Sequence, residues 1–389
     1  MVLGKLSARS QVPQFHAMGV LAEANRLAAL GQDVLHLEVG EPDARAPAKV
    51  RDAATAAIEA GRTGYTEALG LPELRRAIAS HYRDFYGVEV ETGRVIVTTG
   101  ASGAFILVFL ALFNPGDRVA LASPGYPAYR SILTALGIDV VSIPGLHESA
   151  YQPVVDLLRP VADDLQGVVL ASPANPTGSV MPETELRRLV AFCRERNIRL
   201  VADEIYHGIT YERACPTVLG IDDQSVVVNS FSKYFAMTGW RLGWVVGPAE
   251  LIAAAERLAM NFFLCAPTVA QVGACEVFNC YAELDSHVER YRANRDSLLD
   301  GLSRSGFDRV AAADGAFYLY VDVSDFTDDS FEFARQLLQD QGIAVAPGVD
   351  FDRDRGHRFV RLSYSGAPET IQSAMDRLSS WTPRQTGGR

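Results

Sequence analysis

Short apolar, β-branched runs recur through the middle of the chain, at Arg94-Val-Ile-Val-Thr98, Arg118-Val-Ala-Leu-Ala122, Ile138-Asp-Val-Val-Ser-Ile143, Gly167-Val-Val-Leu-Ala171, Ile198-Arg-Leu-Val-Ala-Asp203, Val226-Val-Val228 and Trp244-Val-Val246. Between them lie stretches with helical spacing, among them one continuing from the Gly100 turn through Leu112, then Tyr126 to Leu136, Val154 to Leu165 and Glu183 to Glu195. Strands this uniformly apolar are buried on both faces, and helices between successive strands supply the cover. The pattern therefore predicts a doubly wound α/β fold around a mostly parallel sheet. Ligands of such sheets sit beyond the carboxyl ends of the strands, so the segments that follow each run are where function is sought.

The rest of the chain is read against that centre. A helical stretch from Gly19 to Leu30 and an extended segment, Val34 to Val39, precede it; a long polar helix from Tyr281 to Leu302 and a strand, His357 to Ser365, follow. Further helices are expected over Lys49 to Ala60 and from Pro72, where Leu74, Ile78, Tyr82 and Phe85 repeat every three or four residues. With 389 residues, 48% hydrophobic and 21% charged, the chain is long enough for two domains. The large one is expected over residues 41–290, and a smaller α+β one from both chain ends, residues 1–40 and 291–389. The net charge of -11 argues against nucleic acid or an anionic membrane as partner, because phosphate surfaces demand clustered Lys and Arg. Cys193, Cys215, Cys265, Cys275 and Cys280 are odd in number and widely spaced, which favours free thiols in a reducing compartment over a disulfide framework or a zinc site. Met1-Val-Leu-Gly-Lys-Leu-Ser7 lacks the sections of a signal peptide and no run is long enough to span a membrane, so a cytoplasmic protein is expected.

The most informative segment is Ser230-Phe-Ser-Lys-Tyr-Phe-Ala-Met-Thr-Gly-Trp-Arg-Leu-Gly-Trp244, held between two apolar runs. A lysine fixed there can lose its proton through desolvation or a neighbouring cation, and Lys233 then becomes a nucleophile towards a carbonyl. Arg241, with Ser230 and Ser232, offers a fork and hydroxyls to a phosphate. An aldehyde that carries a phosphate is pyridoxal phosphate; the alternative is a solvated surface lysine. The segment resembles the cofactor-lysine segment of the pyridoxal-phosphate enzymes of the aspartate aminotransferase fold family, the class I/II aminotransferases, in which Ser-x-Ser-Lys is followed by Gly-x-Arg-x-Gly. The resemblance runs in order from about Val34 through Tyr364.

Pyridoxal chemistry and that resemblance give further residues their expected tasks. Asp203, in Ala202-Asp-Glu-Ile-Tyr206, would pair with the ring nitrogen and keep it protonated, while Tyr206 and Asn175 would donate to the ring's phenolic oxygen. Asn175 lies in Ala171-Ser-Pro-Ala-Asn-Pro-Thr-Gly178, where two prolines end the strand. Lys233 would form the Schiff base and then serve as general base at the substrate's α-carbon. The turn at Gly100 precedes a helix whose first amides can seat a phosphate, and the resemblance puts Ala101 and Ser102 at the contacting positions. It likewise implies that Tyr126 stacks on the pyridine ring, that Gly40 lies at the substrate carboxylate, that Arg361 anchors that carboxylate, and that Tyr65 crosses a homodimer interface to the neighbouring phosphate. For each, an ordinary turn, core pair or surface residue is the alternative.

The reaction expected is transamination between an L-amino acid and a 2-oxo acid. A β-eliminating carbon–sulfur lyase shares the fold and the α-proton abstraction, and a non-catalytic cofactor-binding regulator is a third reading that lacks a basic helix-turn-helix pattern here. Phe15, His16, Tyr65, Phe262, Phe263 and Phe317 are candidate pocket walls and point to an apolar or aromatic side chain. No distinct arginine is assigned to a second substrate carboxylate; His16, Arg353, Arg355 or Arg358, acting from a mobile segment, is the alternative.

Overall fold

The protein is described here by a computed structural model covering residues 6–381, so the first five residues of the N-terminal reading and the outermost residues of the expected smaller domain lie outside the described residues. In chain order the strands are β1 (Leu35–His36), β2 (Val95–Thr98), β3 (Arg118–Ser123), β4 (Asp139–Pro144), β5 (Gly167–Ala171), β6 (Arg199–Asp203), β7 (Val226–Ser230), β8 (Gly243–Val246), β9 (Tyr318–Asp322), β10 (Ile343–Ala344), β11 (Ala346–Pro347) and β12 (Phe359–Ser363).

Strands β2 to β8 form one seven-stranded sheet in the order β2-β8-β7-β6-β5-β3-β4. The β3–β4, β3–β5, β5–β6 and β6–β7 pairings are parallel, and β8 runs antiparallel to both β2 and β7. Alternate residues of each strand enter opposite cores. Val95, Val168, Leu200 and Val227 face one, while Ile96, Val169, Val201 and Val228 face the other, which the Gly100–Leu112 and Ala249–Phe262 helices close. This two-sided burial is what the unbroken apolar runs anticipated.

The two ends of the chain meet beyond this sheet. Strand β1 pairs in parallel with β10, joining Leu35 to Ile343, and β11, β12 and β9 form a three-stranded antiparallel sheet in which Arg361 lies opposite Tyr320. The Tyr281–Arg304 helix leads from the large sheet to β9, and packs so closely on the Pro368–Ser379 helix that a Cβ at Gly301 would overlap the Met375 side chain.

Some expected boundaries shift for identifiable reasons. The first helix spans His16–Ala29, starting three residues before the apolar spacing does, because Asp350 from the far end of the chain caps it. The expected helix from Val154 to Leu165 divides into α-helix Val155–Leu158 and a 3₁₀ stretch Arg159–Asp164, since Pro160 cannot donate to the α-helical ladder. The extended segment at Val34–Val39 keeps ladder pairing at Leu35 and His36 alone, matching the two residues of β10.

Candidate active site

The carboxyl ends of β2, β3, β5, β6 and β7 face a cavity of about 200 Å³, closed on the other side by residues from β9, β12, the Gly40 turn and the first helix. Parallel pairing brings the strand ends together, and strand order reverses about β3, which separates the helices on the two faces and leaves room between them.

Lys233 follows β7 by three residues and is half-buried, its Nζ donating to the Gly40 carbonyl at 2.6 Å. Withdrawal from water, then the positive Arg361, pull its pKa down to about 8, so roughly a tenth of the amine is neutral at pH 7. Asp203 ends β6 and is buried, which pushes its carboxyl up to about 6 against the hydrogen bonds it accepts. One oxygen takes the Ile205 amide at 3.0 Å and the other takes the Tyr129 hydroxyl in a short contact. A cation placed against this carboxylate would return it to the charged form.

A second group surrounds Arg361 at the centre of β12. Its guanidinium is buried between the rings of Tyr318 and Phe351, with Cζ 4.3 and 4.8 Å from their centroids. Nη1 donates to Asn175 Oδ1 at 3.0 Å, Nη2 donates to the Glu38 carbonyl at 2.5 Å, and Nε is buried with no partner among the described residues. Gly40 sits against Tyr318 so closely that a Cβ there would fall 1.7 Å from the Tyr318 hydroxyl, and that hydroxyl lies 2.6 Å from the Tyr206 hydroxyl.

At the opposite end Arg241, exposed at the rim, adopts a left-handed backbone (φ 54°) and donates to the Thr238 carbonyl at 3.0 Å. Its guanidinium lies over the turn at Gly100, where a Cβ would come within 2.8 Å of Nη2. Ala101 and Ser102, in the first turn of the helix that begins at Gly100, line the cavity beside it. A guanidinium over free helix amides is a seat for a phosphate, since both contribute donors and positive potential. A lysine with a lowered pKa, an acid buried in the same cavity, this seat and a separate guanidinium whose Nε has no partner among the described residues together fit a phosphorylated pyridine aldehyde and a carboxylate.

Of the residues singled out from sequence, Gly40, Ala101, Ser102, Tyr126, Asn175, Asp203, Tyr206, Lys233, Arg241 and Arg361 all line this cavity. Ser230 does not. It is buried behind Ser232, its Oγ 2.9 Å from the Ser232 hydroxyl and 3.0 Å from the Leu242 carbonyl, and Ser232 takes the place in the lining. Tyr65 is 84% exposed and is not part of the lining. Phe15 is in the wall, whereas Phe262 and Phe263 are exposed elsewhere and Phe317 packs behind Tyr206. His16, Arg353, Arg355 and Arg358 are outside the lining; Arg355 is held by Asp352 at 3.1 Å and Arg358 approaches Asp322 at 3.5 Å. Sequence reasoning missed Tyr129 and Tyr318. The signal for Tyr129 was its place one helical turn after Tyr126; Tyr318 neighbours Phe317 on a strand, so its side chain takes the opposite face.

Comparison with known proteins follows the same outline. Residues 32–378 match the family described as aminotransferase class I and II. The chain is 49% identical over 386 residues to a valine–pyruvate aminotransferase of Mycobacterium tuberculosis, covering 98% of this chain and 99% of that protein. It is 35% identical over 387 residues to an aspartate/prephenate aminotransferase of Thermus thermophilus, covering 96% and 98%. The crystal structure of an aminotransferase from Mycobacterium tuberculosis superposes with a TM-score of 0.95 at 48% identity, covering 97% of this chain and 99% of that one.

Proposed function

The chain belongs to the class I and II aminotransferases and is a pyridoxal-phosphate-dependent transaminase, and from that premise we propose that it moves the amino group of an aliphatic L-amino acid to a small 2-oxo acid, using the cavity residues in the roles set out below. The observation that carries the site assignment is the convergence on one cavity of a lysine whose pKa is drawn to about 8 and an acid buried opposite it. Support for an aliphatic substrate comes from the valine–pyruvate name of the 49% identical relative and from the apolar Phe15, Met18 and Val39 in the wall.

When bound, pyridoxal phosphate supplies an aldehyde that bonds amines and a protonated pyridine ring that accepts the electron pair released at the substrate's α-carbon. Lys233 would provide the amine that holds the aldehyde in the resting enzyme; once freed, its Nζ would take the proton from the substrate's α-carbon and deliver it to the carbon on the far side of the amine nitrogen. Asp203, steadied by Tyr129 and the Ile205 amide, would keep the ring nitrogen protonated. Arg241, Ala101, Ser102 and Ser232, the last backed by Ser230, would hold the phosphate, and Tyr126 would lie against the ring. Tyr206 and Asn175 would donate to the ring's phenolic oxygen. Arg361 grips the substrate carboxylate beside Gly40, its Nε offering a donor that has no partner among the described residues. An elimination reading is not favoured by the relatives, and neither is a non-catalytic regulator.

The proposal extends to assembly and place. A large part over residues 41–290 and a smaller part from residues 1–40 and 291–389 are supported by the seven-stranded sheet lying within the first range and by the pairing of β1 with β10 across the second. A homodimer, with Tyr65 reaching the neighbouring site, is supported by the exposure of Tyr65, Phe262 and Leu264. A cytoplasmic location is supported by the five free cysteines; no helix among the described residues is long and apolar enough to cross a membrane.

The test is absorption spectroscopy of the purified holoenzyme as single amino acids are added without a 2-oxo acid. Valine is expected to convert the cofactor band once, with pyruvate restoring it, and Lys233→Ala is expected to lose the resting band. A band that persists while pyruvate and ammonia accumulate beyond one equivalent overturns transamination.

A further inference from the structure

The first helix begins at the mouth of the cavity with no capping side chain of its own: Phe15 occupies the N-cap position and makes no side-chain cap bond. The cap comes from Asp350, more than three hundred residues later in the chain, whose two carboxylate oxygens accept the main-chain amides of His16 and Ala17 at 2.8 Å each. A carboxylate at a helix start satisfies orphan donors and meets the positive end of the helix dipole, so this is a tether as well as a cap.

What the tether positions is apolar. Phe15 and Met18, on this first turn, line the cavity together with Val39. Phe15 meets the ring of Phe351 edge to face, centroids 6.4 Å apart, and Phe351 also packs on the Tyr320 ring and the Arg361 guanidinium. The Phe351 carbonyl accepts the Gly125 amide at 3.0 Å, next to Tyr126. The 348–351 loop thus links the first helix, the arginine that would grip the carboxylate and the turn that would cover the cofactor ring.

The charges around this wall narrow the ligand further. Among the described residues the cations lining the cavity are Lys233, Arg241 and Arg361, each already given a task, and the buried acid Glu38 lies in the same lining. None of these three cations is left for a second carboxylate on the substrate.

We propose that Phe15 and Met18, held over the cavity by the Asp350 carboxylate, are the wall that selects an aliphatic, monocarboxylic substrate, with Asp350 acting as a positioning residue. The inference rests on the aminotransferase reading above and on Arg361 taking the α-carboxylate. It places the side chain of the amino acid against the first helix.

The test compares valine with alanine as donors in wild type, Phe15→Ala, Asp350→Ala and Asp350→Asn, all as holoenzymes whose cofactor absorbance and thermal midpoint are checked first. A hydrophobic wall discriminates by roughly tenfold or more per missing methylene. Phe15→Ala is expected to lower kcat/KM for valine about tenfold more than for alanine, with the excess in KM. Asp350→Ala is expected to do the same, and Asp350→Asn, which keeps one acceptor oxygen, to lose less. If Phe15→Ala fails to fold, Phe15→Leu replaces it with a smaller expected loss in the same direction. An independent readout is the thermal midpoint with 3-methylbutanoate against acetate: the branched acid is expected to stabilise wild type more, and the advantage to shrink in Asp350→Ala. Equal losses for valine and alanine, or an undiminished advantage of the branched acid, overturn the wall while leaving the aminotransferase reading intact. A wild-type enzyme that favours a dicarboxylic donor overturns the substrate reading first and the wall with it.

Discussion

Asp203 and Glu204 are adjacent acids, both buried, with different surroundings. Asp203 has Lys233 within electrostatic reach, whereas Glu204 accepts hydrogen bonds from the Thr217 hydroxyl and the Val218 amide at 3.0 and 2.9 Å and has as its nearest basic group the His207 imidazole, 3.5 Å away. Burial pushes Glu204 up to about 8 and His207 down to about 3, so at neutral pH the pair is a neutral acid beside a neutral imidazole, with the Tyr86 hydroxyl 3.0 Å from the same ring nitrogen. The sign follows from linkage. An acid whose folded pKa is raised contributes stability that is lost as pH rises from its unfolded value through the folded one, while the histidine contributes nothing above its unfolded value near 6.5. Between pH 6.5 and 8 the wild type is therefore expected to lose about 2 kcal/mol relative to Glu204→Gln, which keeps the acceptor and cannot ionise. Denaturant titrations at the two pH values check this, and parallel curves for the two proteins would contradict it. None of this was legible in the chain, where Glu204 reads as one more acid at a strand end. Lys233, Asp203 and Arg361 were legible because their apolar neighbours in sequence forced the question of a partner; Tyr129 and Tyr318 were not, because an aromatic among apolar residues needs no partner until the fold supplies one.

The elements themselves were mostly legible, and the exceptions have a common cause. Strands β5 and β6 and the Glu183–Glu195 helix lie close to where periodicity puts them, since local burial alone decides them. The first helix, β1 and the stretch around Pro160 depart where a distant partner or a missing donor decides instead. Gly40 belongs to the same scale, because its turn is set by an element far away. The Tyr318 ring that a Cβ would strike is pinned by the Tyr206 hydroxyl on one side and by Arg361 stacked against its face. Gly40→Ala must therefore displace the ring or the turn, and is expected to cost about 1–3 kcal/mol and to raise KM for every donor, since the overlap lies beside the carboxylate grip rather than the side-chain wall. Thermal unfolding and steady-state kinetics check both; a variant with wild-type stability and KM would show that the turn yields freely.

At the scale of the whole molecule, the exposure of Tyr65 gains meaning from its surroundings. The Gly64 carbonyl next to it accepts the Thr268 hydroxyl at 2.5 Å, tying its loop to the segment that follows Phe263 and Leu264, and Ile58 is also exposed. An apolar surface built around a fixed tyrosine is what a second copy would cover. Sedimentation at micromolar concentration is expected to give the mass of a dimer, and Tyr65→Phe to weaken pyridoxal phosphate about tenfold, the loss of one hydrogen bond to a charged group. A monomer that binds the cofactor normally would refute both.

The pairing of β1 with β10 has a consequence for how the chain is made. Leu35 meets Ile343, and the helix that precedes β1 receives its cap from Asp350. During synthesis the large sheet can assemble as soon as Val246 has emerged, since all of its strands lie between Val95 and that residue. The first helix and β1, made before the sheet, must wait with their apolar face uncovered until β10 and Asp350 have been made. The substrate wall is thus made before the large sheet and finished after it, which makes translation past Asp350 the condition for a selective site.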